Sequence, residues 1–302
     1  MRSILLRVVV FASAGLLACR TTPPAQDAVA APGVHKQVIE NTEIRPIPRH
    51  GSDGRAYQIY VALPASYADH PERRYPALYF CDGYWDFALV NAFYGNLLYD
   101  KVVPEAVLVG FGYQGDKPDY GKLRRWDYTP VADPRPNPDE GPSGHGPEFL
   151  ATIERDIIPF VEREYHVDAS YRVLGGSSLG GLFTLYAAIA QPGLFQAYIA
   201  PSPAVVWAND WLFAYEDAFA KGGGKLRGRI FMTGASEEAP SFLDGIRRFD
   251  KRLRERDYPD LAYEFRIVEG ERHAGTKAES YNRAVRYALA PLVEKMAKDG
   301  GP

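Results

Sequence analysis

The stretch Tyr171-Arg172-Val173-Leu174-Gly175-Gly176-Ser177-Ser178-Leu179-Gly180-Gly181-Leu182-Phe183 decides how the chain folds. A short β-prone run, Arg172 to Leu174, enters a cluster of glycines and serines, and a helix-forming run of small and apolar residues leaves it, Leu182 to Ala190. Inside the cluster, Gly176-Ser177-Ser178-Leu179-Gly180 fits G-x-S-x-G, the pattern of a serine raised on a strand-to-helix turn. The reason is steric: such a turn is cramped, and glycines two before and two after the serine relieve its clashes. Centring the pattern on Ser177 would put Leu179 at the closing position, so Ser178 is the candidate nucleophile. The start of the next helix would aim the Leu179 N–H at developing negative charge. The stretch fits neither G-x-G-x-x-G nor G-x-x-x-x-G-K-[ST], which leaves a nucleotide-binding loop without support. A glycine turn needing only positive φ is the plain alternative, and the flanking strand and helix weigh against it.

Outward from this turn, strand and helix patterns alternate. Tyr57–Leu63, Tyr75–Phe80, Ala106–Phe111, Ala197–Ala200, Arg229–Met232 and Tyr263–Val268 are expected strands, and Phe149–Tyr165 and Phe242–Arg256 are expected helices. This alternation predicts an α/β domain with a mainly parallel central sheet and helices on both faces. In such sheets functional loops lie beyond the C-terminal strand ends.

A serine hydroxyl needs a base. His273 is the one histidine after Ser178, in the loop that follows the last expected strand. A surface histidine is its plain alternative. The acid should follow the penultimate strand, where Thr233-Gly234-Ala235-Ser236-Glu237-Glu238 lies. Glu237 is the first choice, Glu238 the second, and another carboxylate or a Ser–His dyad stays open. A second oxyanion donor is expected after an earlier strand, in Phe80-Cys81-Asp82-Gly83-Tyr84-Trp85, with the Tyr84 N–H left free by the tight turn at Gly83.

The 302 residues suit one large domain, and 46% hydrophobic with 24% charged residues is ordinary globular composition. A net charge of −3, with both signs dispersed, leaves no electrostatic footprint for nucleic acid. The 6 histidines are scattered without ligand spacing, so no metal or cofactor is implied. Arg2 and Arg7 flank a short apolar run, Ile4-Leu5-Leu6, which Val8 to Leu17 continues and which ends in Leu16-Leu17-Ala18-Cys19. Residues 1–18 are therefore expected to be a signal peptide, and the last four of that run resemble a lipobox, with Cys19 as the lipidated residue. A plain signal peptide with an incidental cysteine is the alternative. Residues 19–36 would be a Pro- and Ala-rich tether, 37–297 the folded domain and 298–302 a frayed tail. Anchoring would hold the protein to a bacterial cell-envelope membrane facing the periplasm, and Arg20 rather than Asp at the next position suggests the outer membrane. Oligomeric state is not legible.

With these motifs placed, the chain resembles the esterase family of α/β hydrolases that includes esterase D-like enzymes, enterobactin-type siderophore esterases, feruloyl and acetyl-xylan esterases, and mycolyltransferases. The matching pieces are Tyr79-Phe80-Cys81-Asp82-Gly83, Arg125-Trp126-Asp127-Tyr128-Thr129-Pro130, Phe149-Leu150 through Phe160, Tyr171 through Phe183, Ser202-Pro203 with Trp207, and His273. They run in one order through nearly the whole expected domain. The resemblance implies an α/β-hydrolase fold, the Ser178 and His273 roles, the Asp82-Gly83-Tyr84 loop and an acid near Glu237. It also suggests that Arg124, Arg125 and Asp127 line the cleft, against a turn stapled by salt bridges. Trp207 and Tyr84 would stack on a substrate ring or pack as a lid. Cys81, aliphatic in many relatives, is expected to be core packing.

The expected reaction is hydrolysis of a small-molecule carboxylic ester through an acyl-enzyme on Ser178. A siderophore esterase acting on a catecholate trilactone and an acyltransferase are the nearer alternatives. A non-catalytic ligand-binding lipoprotein is the distant one.

Overall fold

A computed structural model describes residues 38–48, 54–135 and 137–299. The expected signal peptide, Cys19 and the tether lie outside the described residues, as do residues 300–302. A compact unit begins at Glu40, and of the separate unit before it only Val38 and Ile39 are described.

Eight strands form one sheet: β1 (Thr42–Pro46), β2 (Tyr57–Ala62), β3 (Tyr75–Phe80), β4 (Val107–Tyr113), β5 (Val167–Gly175), β6 (Ala197–Pro201), β7 (Arg227–Ala235) and β8 (Asp260–Val268). Their order is β1-β2-β4-β3-β5-β6-β7-β8, antiparallel from β1 to β4 and parallel from β4 to β8. The connecting helices are α1 (Gly83–Tyr99), α2 (Tyr120–Tyr128), α3 (Gly146–Thr152), α4 (Ile158–Glu164), α5 (Leu179–Ala190), α6 (Trp207–Lys221), α7 (Pro240–Arg256) and α8 (Lys277–Lys298).

The central strands read as apolar runs because both their faces are covered. Along β3, Tyr75, Ala77 and Tyr79 join one core, while Leu78 and Phe80 join the other. The first core takes Phe149 of α3, Phe183 of α5, Phe213 of α6 and Phe249 of α7. The second takes Phe87 and Val90 of α1 with Tyr281 and Val285 of α8.

Two differences from the sequence expectation have local causes. The single helix expected over Phe149–Tyr165 is α3 and α4 joined by a π-helical turn, Ile153–Ile157. Pro159 has no N–H to give the carbonyl of Arg155 and its ring would crowd it, and the wider turn accommodates both. α1 escapes a periodicity search because apolar residues circle it. Phe87 and Val90 are buried while Trp85 and Tyr99 are exposed.

The parallel strands bring the loops after β3, β5, β7 and β8 to one edge of the sheet. Those loops carry Ser178, Glu237, Glu238 and His273, and Tyr84 and Leu179 stand in the first turns of the helices that leave two of them.

Candidate active site

Ser178 stands between β5 and α5 with φ 61° and ψ −116°, a backbone region that costs a side-chain-bearing residue about 1–3 kcal/mol. The surroundings impose it. The Ser178 N–H donates to the Pro201 carbonyl at 3.1 Å, and its own carbonyl accepts from Leu182 and Ala204 N–H, each at 2.9 Å. A Cβ on Gly176 would sit 2.6 Å from the Gly180 carbonyl, so the turn closes only with glycine there. Cys81 packs beneath, 2.9 Å from where Cβ atoms on Gly176 and Gly180 would be. It is fully buried, and that burial pushes its thiol well up, which fits packing rather than chemistry.

His273 lies in the loop between β8 and α8. Its Nδ1 contacts Glu238 at 3.0 Å to Oε2 and 3.1 Å to Oε1. The Glu238 side chain is 3% exposed against 42% for the imidazole, so the carboxylate holds the ring from the protein side. Phe242 closes one edge, its ring perpendicular to the imidazole at 5.0 Å. With Nδ1 held, Nε2 is the nitrogen left to take a proton. Ser178 and His273 share one edge of the sheet, and the structure forms no hydrogen bond between them. Such contacts commonly tighten only when substrate binds.

The first choice of acid is corrected. Glu237 points outward, 53% exposed, and pairs with Arg272 at 3.3 Å. The cause is backbone registry: the Glu237 N–H donates to the Glu271 carbonyl at 2.9 Å, and the Ser236 N–H to the Val268 carbonyl at 3.0 Å. The next side chain, Glu238, then turns inward.

Opposite these loops, Asp82 adopts the left-handed conformation, φ 54° and ψ 44°, and opens α1. Its carbonyl accepts from the Trp85 and Asp86 N–H groups at 2.8 Å, and its own N–H donates to Tyr128 Oη at 2.9 Å. Gly83 and Tyr84 N–H find no acceptor among the described residues, nor does Leu179 N–H at the start of α5. Gly83 is required here, since a Cβ would meet the Gly110 backbone at 2.7 Å. The Asp82 carboxylate takes two bonds from Arg124, Nε and Nη2, each 2.9 Å, and Nη2 also reaches the Ser177 carbonyl at 3.5 Å. Burial works against the Arg124 charge, and Asp82 more than offsets it, so the guanidinium is held above its ordinary value. Arg124 thus ties both donor-bearing turns together.

The residues suggested for substrate contact fare differently. Asp127 is corrected: it is buried at 1% exposure and accepts from Tyr57 Oη at 3.1 Å, inside the core rather than at the cleft. Arg125 is clamped by Glu140 at 2.7 Å and Asp133 at 3.2 Å, and its guanidinium stacks on Trp207 at 4.7 Å. Trp207 Nε1 donates to the Val131 carbonyl at 2.9 Å, so the indole packs as part of the wall. Arg125 still borders a cavity of about 300 Å³ that it shares with Leu179, Lys122, Asp119, Asp139 and Glu140. Tyr84 stacks on Tyr120 with ring centres 3.7 Å apart.

The family described as "Putative esterase" matches residues 51–230. The chain belongs to that family. The matched stretch of the esterase contains the Asp82-Gly83 loop and the Ser178 turn, and it ends before Glu238 and His273, whose placement rests on the geometry above. The esterase is 30% identical to ferri-bacillibactin esterase BesA of Bacillus subtilis over 267 residues, 84% of this chain and 91% of that protein. It is 32% identical to an apo-salmochelin esterase of Escherichia coli over 165 residues, 53% of this chain and 50% of that one. Among solved structures, the BES protein from Bacillus cereus superimposes with TM-score 0.73 at 27% identity, covering 85% of this chain and 99% of that chain. These likenesses make the protein a serine esterase of the α/β-hydrolase fold.

Proposed function

We propose that this esterase hydrolyses the ester bonds of a siderophore through an acyl-enzyme on Ser178. His273 Nε2 takes the Ser178 proton as Oγ attacks the ester carbonyl. The N–H groups of Leu179 and Tyr84 receive the oxyanion, with Gly83 N–H beside them. The C–O bond breaks and the imidazolium gives its proton to the leaving alkoxide. Water, deprotonated by the same nitrogen, then releases the acid and restores Ser178. Glu238 holds the tautomer and balances the imidazolium. The observation that supports this mechanism is the Ser178 backbone at φ 61° and ψ −116°, a strained conformation at the strand-to-helix turn of G-x-S-x-G, where a nucleophile is raised above the sheet. The substrate class is supported by the likeness to ferri-bacillibactin esterase along most of both chains.

A fluorophosphonate probe should label the wild-type protein on Ser178 and leave Ser178→Ala unlabelled. In the same preparation a catecholate trilactone, iron-loaded or free, should yield its monomers faster than p-nitrophenyl acetate is cleaved per unit of kcat/KM. Labelling elsewhere would end the Ser178 mechanism, and an inert trilactone beside a cleaved p-nitrophenyl ester would end the substrate assignment alone. We also propose that Cys19 carries a lipid that holds the enzyme at the periplasmic side of the envelope. The support is the sequence ending in Leu16-Leu17-Ala18-Cys19.

A further inference from the structure

The loop that carries His273 is held on two sides. Toward β7 it is fixed by backbone: Gly270 N–H donates to Ser236 Oγ at 2.8 Å, and Glu237 N–H to the Glu271 carbonyl at 2.9 Å. Toward α1 it is fixed by side chains. Lys277, in the first turn of α8 just past the loop, donates from Nζ to Asp86 Oδ1 at 2.7 Å. Tyr281, one turn further along α8, donates its hydroxyl to Asp86 Oδ2 at 2.7 Å. Asp86 is in the first turn of α1, and its own N–H binds the carbonyl of Asp82, whose left-handed turn leaves the Gly83 and Tyr84 N–H groups open. One ion pair therefore joins the segment holding the base to the segment holding an oxyanion donor, across 191 residues of chain.

Both charges are out of water, Asp86 at 0% and Lys277 at 8% exposure. Burial raises the Asp86 carboxyl, against the opposing pull of Lys277. The Lys277 ammonium also lies 3.9 Å from the ring centre of Trp85. A buried pair of this kind adds little net stability, because desolvation costs about what attraction returns. Apolar side chains would fill the same space. What a hydrogen-bonded pair adds is a fixed length and direction, and here it fixes them between two halves of the site.

We propose that Asp86 and Lys277 are positioning residues for the esterase reaction, their contact setting the distance from the His273 imidazole to the oxyanion donors of α1. This rests on the Ser178 and His273 mechanism above. A misplacement of about 1 Å is enough to lower the rate about 10- to 100-fold without touching substrate binding.

The test uses three variants in the full chain: Lys277→Met, Lys277→Arg, and the double variant Asp86→Asn/Lys277→Met. The double variant strands neither charge, and the amide that replaces the Asp86 carboxylate can still accept from Tyr281. Each is measured for kcat and KM on p-nitrophenyl acetate, for the rate of fluorophosphonate labelling, and for thermal unfolding. In the double variant kcat and labelling rate should both fall about 10- to 100-fold, with KM within about threefold. Its unfolding temperature should stay near wild type, and Lys277→Arg should recover part of the rate. A double variant with wild-type kcat overturns the proposal. So does a joint loss of kcat, KM and unfolding temperature that Lys277→Arg does not relieve, which is the pattern of a purely structural pair. Wild-type protein that the probe does not label at all would overturn the Ser178 mechanism, and this inference with it.

Discussion

Ser178, His273 and Glu238 lie on three separate loops, and the first two are held by different means. Ser178 is held by backbone bonds to Pro201, Leu182 and Ala204. His273 is held by a carboxylate that water barely reaches. The two neighbouring glutamates make a sharp comparison. Glu238→Gln keeps the shape but offers Nδ1 an amide, which can stabilise the wrong tautomer and leaves the imidazolium without a counter-charge. Its kcat should drop about 100-fold or more, with KM little changed. Glu237→Gln breaks only an exposed contact to Arg272 and should leave kcat within about twofold. Parallel steady-state kinetics on the two proteins decide between these carboxylates, and the reverse ranking would restore Glu237.

At the scale of elements, the nucleophile turn works because a strand, a turn and a helix pack against β3 with no room to spare. Gly176, Gly180 and Cys81 meet in one small volume. Gly176→Ala would place a methyl against the Gly180 backbone, which cannot swing away as a side chain could. We expect a loss of about 1–3 kcal/mol in urea unfolding. Activity should fall further than stability, because the strain is relieved by moving the segment that carries Ser178. A variant with unchanged kcat and unchanged unfolding midpoint would show the turn to be looser than described. The same close packing explains Asp82 and Arg124. Each is an ordinary charged residue in sequence, and together they lock α1 to the turn after β5.

For the whole molecule, the sheet with helices on both faces gathers distant loops at one edge while two apolar cores hold its faces. The proposed lipid at Cys19 belongs to this scale, since it sets where that edge operates rather than how it works. Cys19→Ser should move the enzyme from the membrane to the soluble fraction and end incorporation of labelled palmitate, with activity per molecule unchanged. Labelled lipid on the Cys19→Ser protein would remove the anchor from the account.

The local features were legible from the sequence alone. Gly176-Ser177-Ser178-Leu179-Gly180 declares its turn because steric demands within five residues are written in those five residues. The apolar strands declare the doubly covered sheet, and chain order singles out His273 as the histidine after the last strand. What the sequence left open is direction. Glu237 and Glu238 are indistinguishable until backbone bonds to Glu271 and Val268 turn one outward and the other inward. Asp127 and Arg124 look like equal candidates for a cleft until packing sends the first into the core and pairs the second with Asp82. Asp86 and Lys277 had no local signal at all, because a contact between residues this far apart exists only once the chain is folded. Sequence specifies which chemistry a residue can do, and tertiary packing decides which way it faces and what stands opposite.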